Sequence, residues 1–192
     1  DSVTLLEQTV VQWQDYSGRW LRTLTDHEPI WITDAGGNPT NHAGWYFDLP
    51  LEKERVIRNS FVRDGKLVII TSIPEDDPCS AGGDSIVHEI NACTGGRVAE
   101  AQFDVNGDGY IDDNDLVTIA NPDWFDGSGL PEFIRVPPTG MKFDTMMYPP
   151  VILMTPNGQT ERKFFSTASG GIATMEELAE SRGMFYWRTI ER

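Results

Sequence analysis

The sequence is short of positive charge and of long apolar runs, and each shortage excludes a class of protein. Fifteen Lys and Arg residues stand against thirty Asp and Glu residues, which gives a formal net charge of -15. A chain this acidic repels phosphate backbones and anionic lipid headgroups, so we expect no nucleic-acid partner. No apolar run reaches the length of about 18 residues that a membrane-spanning helix needs, so we expect no membrane insertion. The chain begins at Asp1 without a basic and apolar leader, which indicates a processed protein or a fragment of a longer one.

Cysteine is also scarce. Only Cys79 and Cys93 are present, and they enclose a stretch rich in Gly and Asp. The sequence contains no CxxC or CxxCH motif of the kind that would indicate a zinc or haem site. A single structural disulfide is the natural pairing, and two buried free thiols are the alternative.

Short apolar runs separated by turn signals predict an all-β protein of one domain, residues 1–192. Gly occurs at 18 positions and Pro at 12, and the Asp64-Gly65 and Asn157-Gly158 pairs are typical of tight hairpins. Helical patterns are confined to residues 113–120 and 174–182, and residues 122–150 are predicted to form an irregular surface excursion. A sandwich, a barrel and part of a propeller all remain open. The predicted strands are 5–13, 19–25, 44–49, 55–60, 66–73, 85–91, 151–155, 162–167 and 184–190.

Residues 104–115, with the sequence DVNGDGYIDDND, carry the strongest chemical signal. Hard cations bind oxygen ligands at alternating positions of such a loop, and Gly109 stands where the loop must turn sharply. Ile111 is expected to point into the core. Asp115 replaces the usual Glu at the twelfth position, and whether it binds the ion directly, through water or not at all stays open. The predicted Ca²⁺ ligands are the side chains of Asp104, Asn106, Asp108 and Asp112 and the carbonyl of Tyr110.

The charge around this loop favours calcium. Residues 98–134 contain nine acidic residues and no Lys or Arg. Several carboxylates in one turn repel one another unless a cation joins them. A solvated turn rich in Asp and Asn is the alternative, and magnesium fits this pattern less well.

Several short motifs, taken together and in order, give the chain a specific resemblance. With the calcium loop, they resemble the C-terminal region of the PilY-type adhesins carried at the tips of type IV pili. The motifs are Leu5-Leu6-Glu7-Gln8-Thr9, Gly44-Trp45-Tyr46-Phe47-Asp48-Leu49, Glu54-Arg55-Val56, Asp77-Pro78-Cys79-Ser80, Gly82-Gly83, Thr94-Gly95-Gly96, and Gly183 with Trp187-Arg188.

This resemblance implies a modified β-propeller with an inserted EF-hand-like calcium loop, located outside the cell at the pilus tip. Calcium binding would influence pilus extension and retraction, and the module would act in surface adhesion without being an enzyme. The chain is long enough for about three or four blades, so the remainder of the parent adhesin or another chain is expected to complete the propeller. Minor pilins and a host or abiotic surface are the other implied partners.

Two other classes of protein have to be considered. Calcium-containing propellers that hold a quinone cofactor are enzymes, but Cys79 and Cys93 are not adjacent as the cysteines of those proteins are. His88 and Glu89 face opposite sides of a strand, so they do not form a catalytic pair. A dockerin-like or carbohydrate-binding module is the second alternative. A dockerin carries two calcium loops where this chain has one, and of the six tryptophans only Trp124 is expected to be an exposed contact.

We predict that Cys79 and Cys93 form a disulfide. Closing a loop of about 15 residues would stabilise the fold by roughly 3 kcal/mol on the chain-entropy model. Alkylation of the native protein before reduction, followed by mass measurement, should label neither cysteine. Labelling of both would show two free thiols.

Overall fold

The computed structural model describes residues 3–16, 18–38, 40–76, 82–156 and 158–179. Fourteen strands and one 3-10 helix, Asp113–Asp115, lie within these ranges. The all-β prediction is confirmed. The strands are β1 Thr4–Glu7, β2 Val10–Tyr16, β3 Arg19–Leu24, β4 His42–Tyr46, β5 Arg55–Val56, β6 Phe61–Arg63, β7 Lys66–Pro74, β8 Gly83–Asn91, β9 Val117–Ala120, β10 Phe133–Val136, β11 Gly140–Phe143, β12 Val151–Met154, β13 Thr160–Ser166 and β14 Ile172–Leu178.

The strands form four sheets. The largest has seven strands in the order β2-β3-β11-β8-β7-β5, with β6 also paired to β7. A second sheet has the order β12-β13-β14, and both of its pairings are antiparallel. Two strand pairs complete the fold, the antiparallel β9-β10 and the parallel β1-β4.

The central strands β7 and β8 are covered on both faces. Residues 68–72 of β7 and 85–90 of β8 are all buried. A strand with one wet face would alternate between buried and exposed residues, so this unbroken run means that neither face meets solvent. One face packs into the main core with Phe103 and Phe165, and the other packs into a smaller core with Leu24.

The turn between β6 and β7 follows the sequence prediction. Asp64 and Gly65 have φ angles of 50° and 73°, the left-handed conformation that a tight hairpin turn requires at both positions. The three residue pairs Phe61↔Val68, Val62↔Leu67 and Arg63↔Lys66 then fix the register of the hairpin.

Both predicted helices are wrong over most of their length. Residues 172–178 form β14, which pairs with β13 along seven residues, and that pairing outweighs the local helical pattern. After the 3-10 helix Asp113–Asp115, residues 117–120 form β9, where the β-branched residues Val117, Thr118 and Ile119 favour a strand. The predicted strand 184–190 lies outside the described residues.

The predicted irregular excursion at residues 122–150 is also wrong in part. It contains β10 and β11, and β11 lies inside the largest sheet, between β3 and β8. These strands are only four residues long and lack a clear alternation, which is why the sequence pattern missed them. The three-residue β6 was missed for its short length, and β9 was missed because residues 113–120 carry a helical pattern.

Gly140 allows β11 to pass close to a buried histidine. It pairs with Arg22 of β3 on one side and with His88 of β8 on the other. A Cβ atom at this position would lie 2.9 Å from Nδ1 of His88 and 3.2 Å from Cγ2 of Ile86. Because both neighbours are buried, neither can move aside freely.

We expect Gly140→Ala to lower the free energy of unfolding by about 1–3 kcal/mol, the usual cost of overpacking. Gly171→Ala is the matched control, because a Cβ atom there would meet only two side-chain hydroxyls, those of Thr167 at 3.3 Å and Ser169 at 3.9 Å. Chemical denaturation of both variants checks this expectation. Equal effects of the two substitutions would contradict it.

Candidate functional site

The predicted calcium loop is fixed in the main core at both ends. Phe103 just before it, Val105 at its second position and Val117 after it are 0–1% exposed and belong to the same apolar cluster. Ile111, the residue expected to anchor the loop, is only half-buried and lies outside the buried clusters. Val105 therefore does the anchoring that the sequence assigned to Ile111.

Asp115 closes the loop from inside. It is fully buried, and its Oδ1 accepts hydrogen bonds from the backbone amides of Val105 at 2.7 Å and Asn106 at 3.2 Å. Its Oδ2 accepts one from the amide of Asp112 at 2.9 Å. The carboxylate thus joins the start of the loop to its end. In this conformation Asp115 is a structural clamp.

The other polar residues of the loop hold consecutive tight turns. Asp104 accepts hydrogen bonds from the amides of Gly107 at 2.6 Å and Gly109 at 3.1 Å. Asn106 accepts one from the amide of Asp108, and Asp108 accepts one from the amide of Tyr110, both at 2.8 Å. These contacts place side-chain oxygens at alternating positions of one exposed turn.

Asp112 caps the short helix that follows the loop. Its Oδ1 accepts a hydrogen bond from the amide of Asn114 at 2.7 Å. Among the described residues, no three His, Cys, Asp or Glu side chains converge closely enough to form a ready-made metal site. The donor set of the loop consists of oxygen atoms alone, which is the chemistry that Ca²⁺ requires.

Two arginines tie the loop to different sheets. Arg19 of β3 donates a hydrogen bond to the carbonyl of Asp104, and Arg135 of β10 donates one to the carbonyl of Asp113. One tether reaches the seven-stranded sheet and the other reaches the β9-β10 pair. Any rearrangement of the loop therefore acts on two sheets.

The sequence of the chain is similar to those of curated type IV pilus biogenesis factors. No family model matches the chain. It is 27% identical over 100 residues to the type IV pilus biogenesis factor PilY1 of Pseudomonas aeruginosa PAO1, covering 50% of this chain and 8% of that protein. It is 39% identical over 69 residues to a PilY1 homolog of Xylella fastidiosa Temecula1, covering 33% and 6%.

The fold gives an independent comparison. The crystal structure of the Pseudomonas aeruginosa PilY1 C-terminal domain superimposes with a TM-score of 0.63 at 15% identity, covering 90% of this chain and 32% of that one. The resemblance to the PilY-type C-terminal region is confirmed. The all-β architecture is consistent with the predicted part of a β-propeller. The matched segments span less than a tenth of the length of these curated PilY1 relatives.

Three of the PilY-type motifs meet in one place. The fully buried Gln8 donates hydrogen bonds to the carbonyls of Thr94 at 2.9 Å and His27 at 2.7 Å. Trp45 donates from Nε1 to the carbonyl of Ala92 at 3.1 Å, and its ring covers Gly95, where a Cβ atom would lie 2.2 Å from the ring. These motif residues form one set of structural contacts.

Glu54, a residue of a fourth motif, belongs to a buried polar cluster. It forms a two-bond ion pair with Arg22 at 2.8 and 2.9 Å and accepts a hydrogen bond from Thr71 at 2.8 Å. Burial by itself would raise the pKa of Glu54, but interactions with the nearby His88 and with its hydrogen-bond donors Arg22 and Thr71 outweigh it and lower the pKa to about 2. His88 is fully buried, and burial lowers its pKa, so it is neutral at pH 7. His88 is therefore a core histidine.

The opposite face of β7 and β8 carries a larger group of buried charges, which we call the Lys163 cluster. Lys163 of β13 contacts Glu89 of β8 and Glu177 of β14, and all three side chains are fully buried. Lys66 lies 3.2 Å from Glu89 and 3.5 Å from Glu177. The cluster therefore joins the seven-stranded sheet to the three-stranded one. Its members are Lys66, Glu89, Lys163 and Glu177, with the neighbouring pair Arg63 and Glu161.

The carboxyl groups of this cluster titrate differently. Burial, together with the adjacent Glu89 and Glu161, raises the pKa of Glu177 to about 10. Burial would also raise the pKa of Glu89, but hydrogen bonding to Glu177 and the charges of Lys163 and Lys66 lower it instead. At pH 7 Glu177 therefore holds a proton and Glu89 is ionised.

Sequence reasoning missed both buried clusters. The available signal was a charged residue at an inward position of a predicted strand, as at Lys163 and Glu89, and the pattern does not show which distant strand supplies the opposite charge.

Of the two cysteines of the predicted disulfide, Cys93 is exposed and Cys79 lies outside the described residues, so the disulfide stays a prediction. Within the described ranges, no helix has the length and apolar character needed to cross a membrane.

We expect Glu177→Gln to raise the free energy of unfolding at pH 7 by roughly 1–3 kcal/mol. The wild-type protein must bind a proton at Glu177 when it folds at this pH, whereas the neutral amide of Gln needs none. The folded-state pKa of about 10 lies above the ordinary value of 4.5. The wild-type stabilisation from this group is therefore complete below pH 4.5 and is lost as the pH rises through 10. The variant should lack this decline.

Denaturant titrations between pH 5 and about 10 measure both effects over the range set by these pKa values. Glu176→Gln is the matched control, because Glu176 is the next residue, is 32% exposed and pairs with Arg162. Removing that charge should change stability by less than about 1 kcal/mol. A Glu177→Gln variant that is less stable than wild type at every pH would refute the assignment of the proton.

Proposed function

We propose that this chain is a non-enzymatic, calcium-binding module of an extracellular type IV pilus tip adhesin. Its role is surface adhesion and calcium-dependent control of pilus extension and retraction. The PilY1 relatives, named as type IV pilus biogenesis factors, and the PilY1-like fold support the pilus assignment. The observation that carries the calcium assignment is the loop 104–115, whose oxygen-bearing turn is closed from inside by Asp115.

The ion-holding groups are those that the sequence pattern assigns. Asp104, Asn106, Asp108 and Asp112 contribute side-chain oxygens, and Tyr110 contributes its carbonyl. When bound, Ca²⁺ supplies the positive charge that three carboxylates in one turn lack. Asp115 keeps the two ends of the loop together and does not serve as a ligand.

The arginine tethers give calcium binding a route to the rest of the module. Arg19 holds the carbonyl of Asp104, the first residue of the loop, and Arg135 holds the carbonyl of Asp113, just after the last ligand. A change in loop order on losing calcium therefore acts on β3 and on β10. This link supports a control role in which a local ion has a distant effect.

The outer strands of the three-stranded sheet, β12 and β14, support the proposal that a partner completes this sheet. Propeller blades usually have four strands, and β12 and β14 pair with no other described strand on their outer sides. We propose that the remainder of the parent adhesin or another chain completes this region. Minor pilins and a host or abiotic surface are the proposed contacts of the assembled protein.

We expect calcium to raise the melting temperature of the chain, and magnesium to raise it much less. A ligand at a hundredfold excess over its Kd stabilises the fold by about 2.7 kcal/mol. Asp112→Ala should abolish this shift, whereas Asp113→Ala, which removes an exposed carboxylate just outside the ligand set, should keep it. Thermal melts in calcium, magnesium and chelator measure the effect.

Asp115→Asn separates the clamp from the ligands. It should lower stability by about 1–3 kcal/mol even in chelator, because the amide nitrogen that replaces one carboxylate oxygen cannot accept a hydrogen bond and at least one backbone amide loses its acceptor. In the parent adhesin, Asp112→Ala should disturb pilus extension or retraction without preventing secretion. Unchanged calcium affinity in purified Asp112→Ala would rule out the proposed ligand set.

A further inference from the structure

The loop between β9 and β10, together with the first residue of β10, exposes four large apolar side chains. Residues 121–132 connect the two strands, and Phe133 begins β10. The side chains of Trp124, Phe125, Leu130 and Phe133 are 40–65% exposed. We call residues 121–133 the aromatic loop. Exposed apolar groups concentrated in one short segment mark an interaction site more often than a passive surface.

The aromatic loop is held in one shape by its own hydrogen bonds. The amide of Asn121 donates to the carbonyl of Glu132 at 2.8 Å, and the Asn121 side chain donates to the carbonyl of Pro131 at 3.0 Å, which closes the base. At the tip, the amide of Ser128 donates to the carbonyl of Phe125 at 2.9 Å. A loop ordered before binding loses little conformational entropy when a partner docks.

The charge of the aromatic loop has one sign. It contains Asp123, Asp126 and Glu132 and no Lys or Arg. Asp123 lies near enough to Arg97 to interact electrostatically. Asp126 and Glu132 form no ion pair within the part of the chain that the structure describes. An aromatic surface with uncompensated carboxylates beside it attracts cations, which bind to the faces of the rings and to the carboxylates together.

We propose that the aromatic loop docks a basic segment of a separate protein, in which Arg or Lys side chains stand beside apolar residues. Phe125 and Trp124 receive the cations and apolar groups of the partner, and Asp126 pairs with its positive charge. Aromatic anchors of this kind supply most of the binding energy at protein interfaces. This surface is separate from the calcium ligands, so it does not depend on the proposed calcium function.

Binding to immobilised short peptides tests the proposal. The peptides share one apolar composition and carry Arg, Lys, Asn or Glu at the remaining positions. We expect the protein to bind the Arg and Lys peptides at least about tenfold more tightly than the Asn and Glu peptides. Phe125→Ala and Asp126→Asn should each weaken that binding by about fivefold or more.

A matched control distinguishes specific binding by the aromatic loop from non-specific binding by any exposed aromatic residue. Trp31→Ala removes an aromatic ring that is 54% exposed elsewhere on the surface and should leave peptide binding unchanged. Equal binding of all peptides, or equal weakening by Trp31→Ala and Phe125→Ala, would overturn the proposal. Binding to a neutral glycan array that is lost in Phe125→Ala would assign the loop to carbohydrate instead.

The parent adhesin is the other source of a covering surface. Hydroxyl-radical footprinting of Phe125 in the isolated chain and in the parent adhesin distinguishes a separate partner protein from the parent adhesin. Exposure in both is expected if the partner is a separate protein. Protection of Phe125 in the parent alone would show that the parent covers the loop, and this result would also overturn the proposal.

Discussion

The β7-β8 pair has no face in contact with solvent, and most of the structure follows from this constraint. Polar groups that point to either side of the pair must find partners inside the protein. On one face, His88 and Thr71 lie beside the Arg22–Glu54 ion pair. On the other face, Glu89 and Lys66 belong to the Lys163 cluster. Because the partners come from β3, the β5 region, β13 and β14, these contacts fix how distant segments are arranged around the pair.

Residues 104–115, the proposed calcium loop, are anchored in the same core but keep most of their charged side chains at the surface. The ends of this loop are buried in the main core, and its one buried carboxylate, Asp115, is satisfied by three backbone amides. The remaining carboxylates stay at the surface in a single turn. Fixed ends and mutually repelling side chains are the features of a segment that gains order when it binds a cation. The aromatic loop, at the other end of the β9-β10 pair, is ordered by backbone hydrogen bonds and needs no ion.

The sequence predicted the class of fold and most of the longer strands, because these depend on local patterns, and the calcium ligands that it assigns to residues 104–115 stay a prediction. It did not predict β14, whose helical pattern is outweighed by pairing with β13, or β11, whose four residues form a strand only between β3 and β8. It also treated the PilY-type motifs as family markers, whereas Gln8, Trp45 and Gly95 form one structural contact. Such contacts join residues up to 86 positions apart, as between Gln8 and Thr94, so no local pattern contains them.

A crystal structure determined with calcium, using the anomalous signal of the ion, tests the central claim most directly. The account predicts one ion in the loop, bound at about 2.3–2.6 Å by oxygens of Asp104, Asn106, Asp108, Tyr110 and Asp112. Asp115 should keep its hydrogen bonds to the amides of Val105 and Asp112. A calcium ion bound elsewhere, or a loop that stays empty at saturating calcium, would contradict the account.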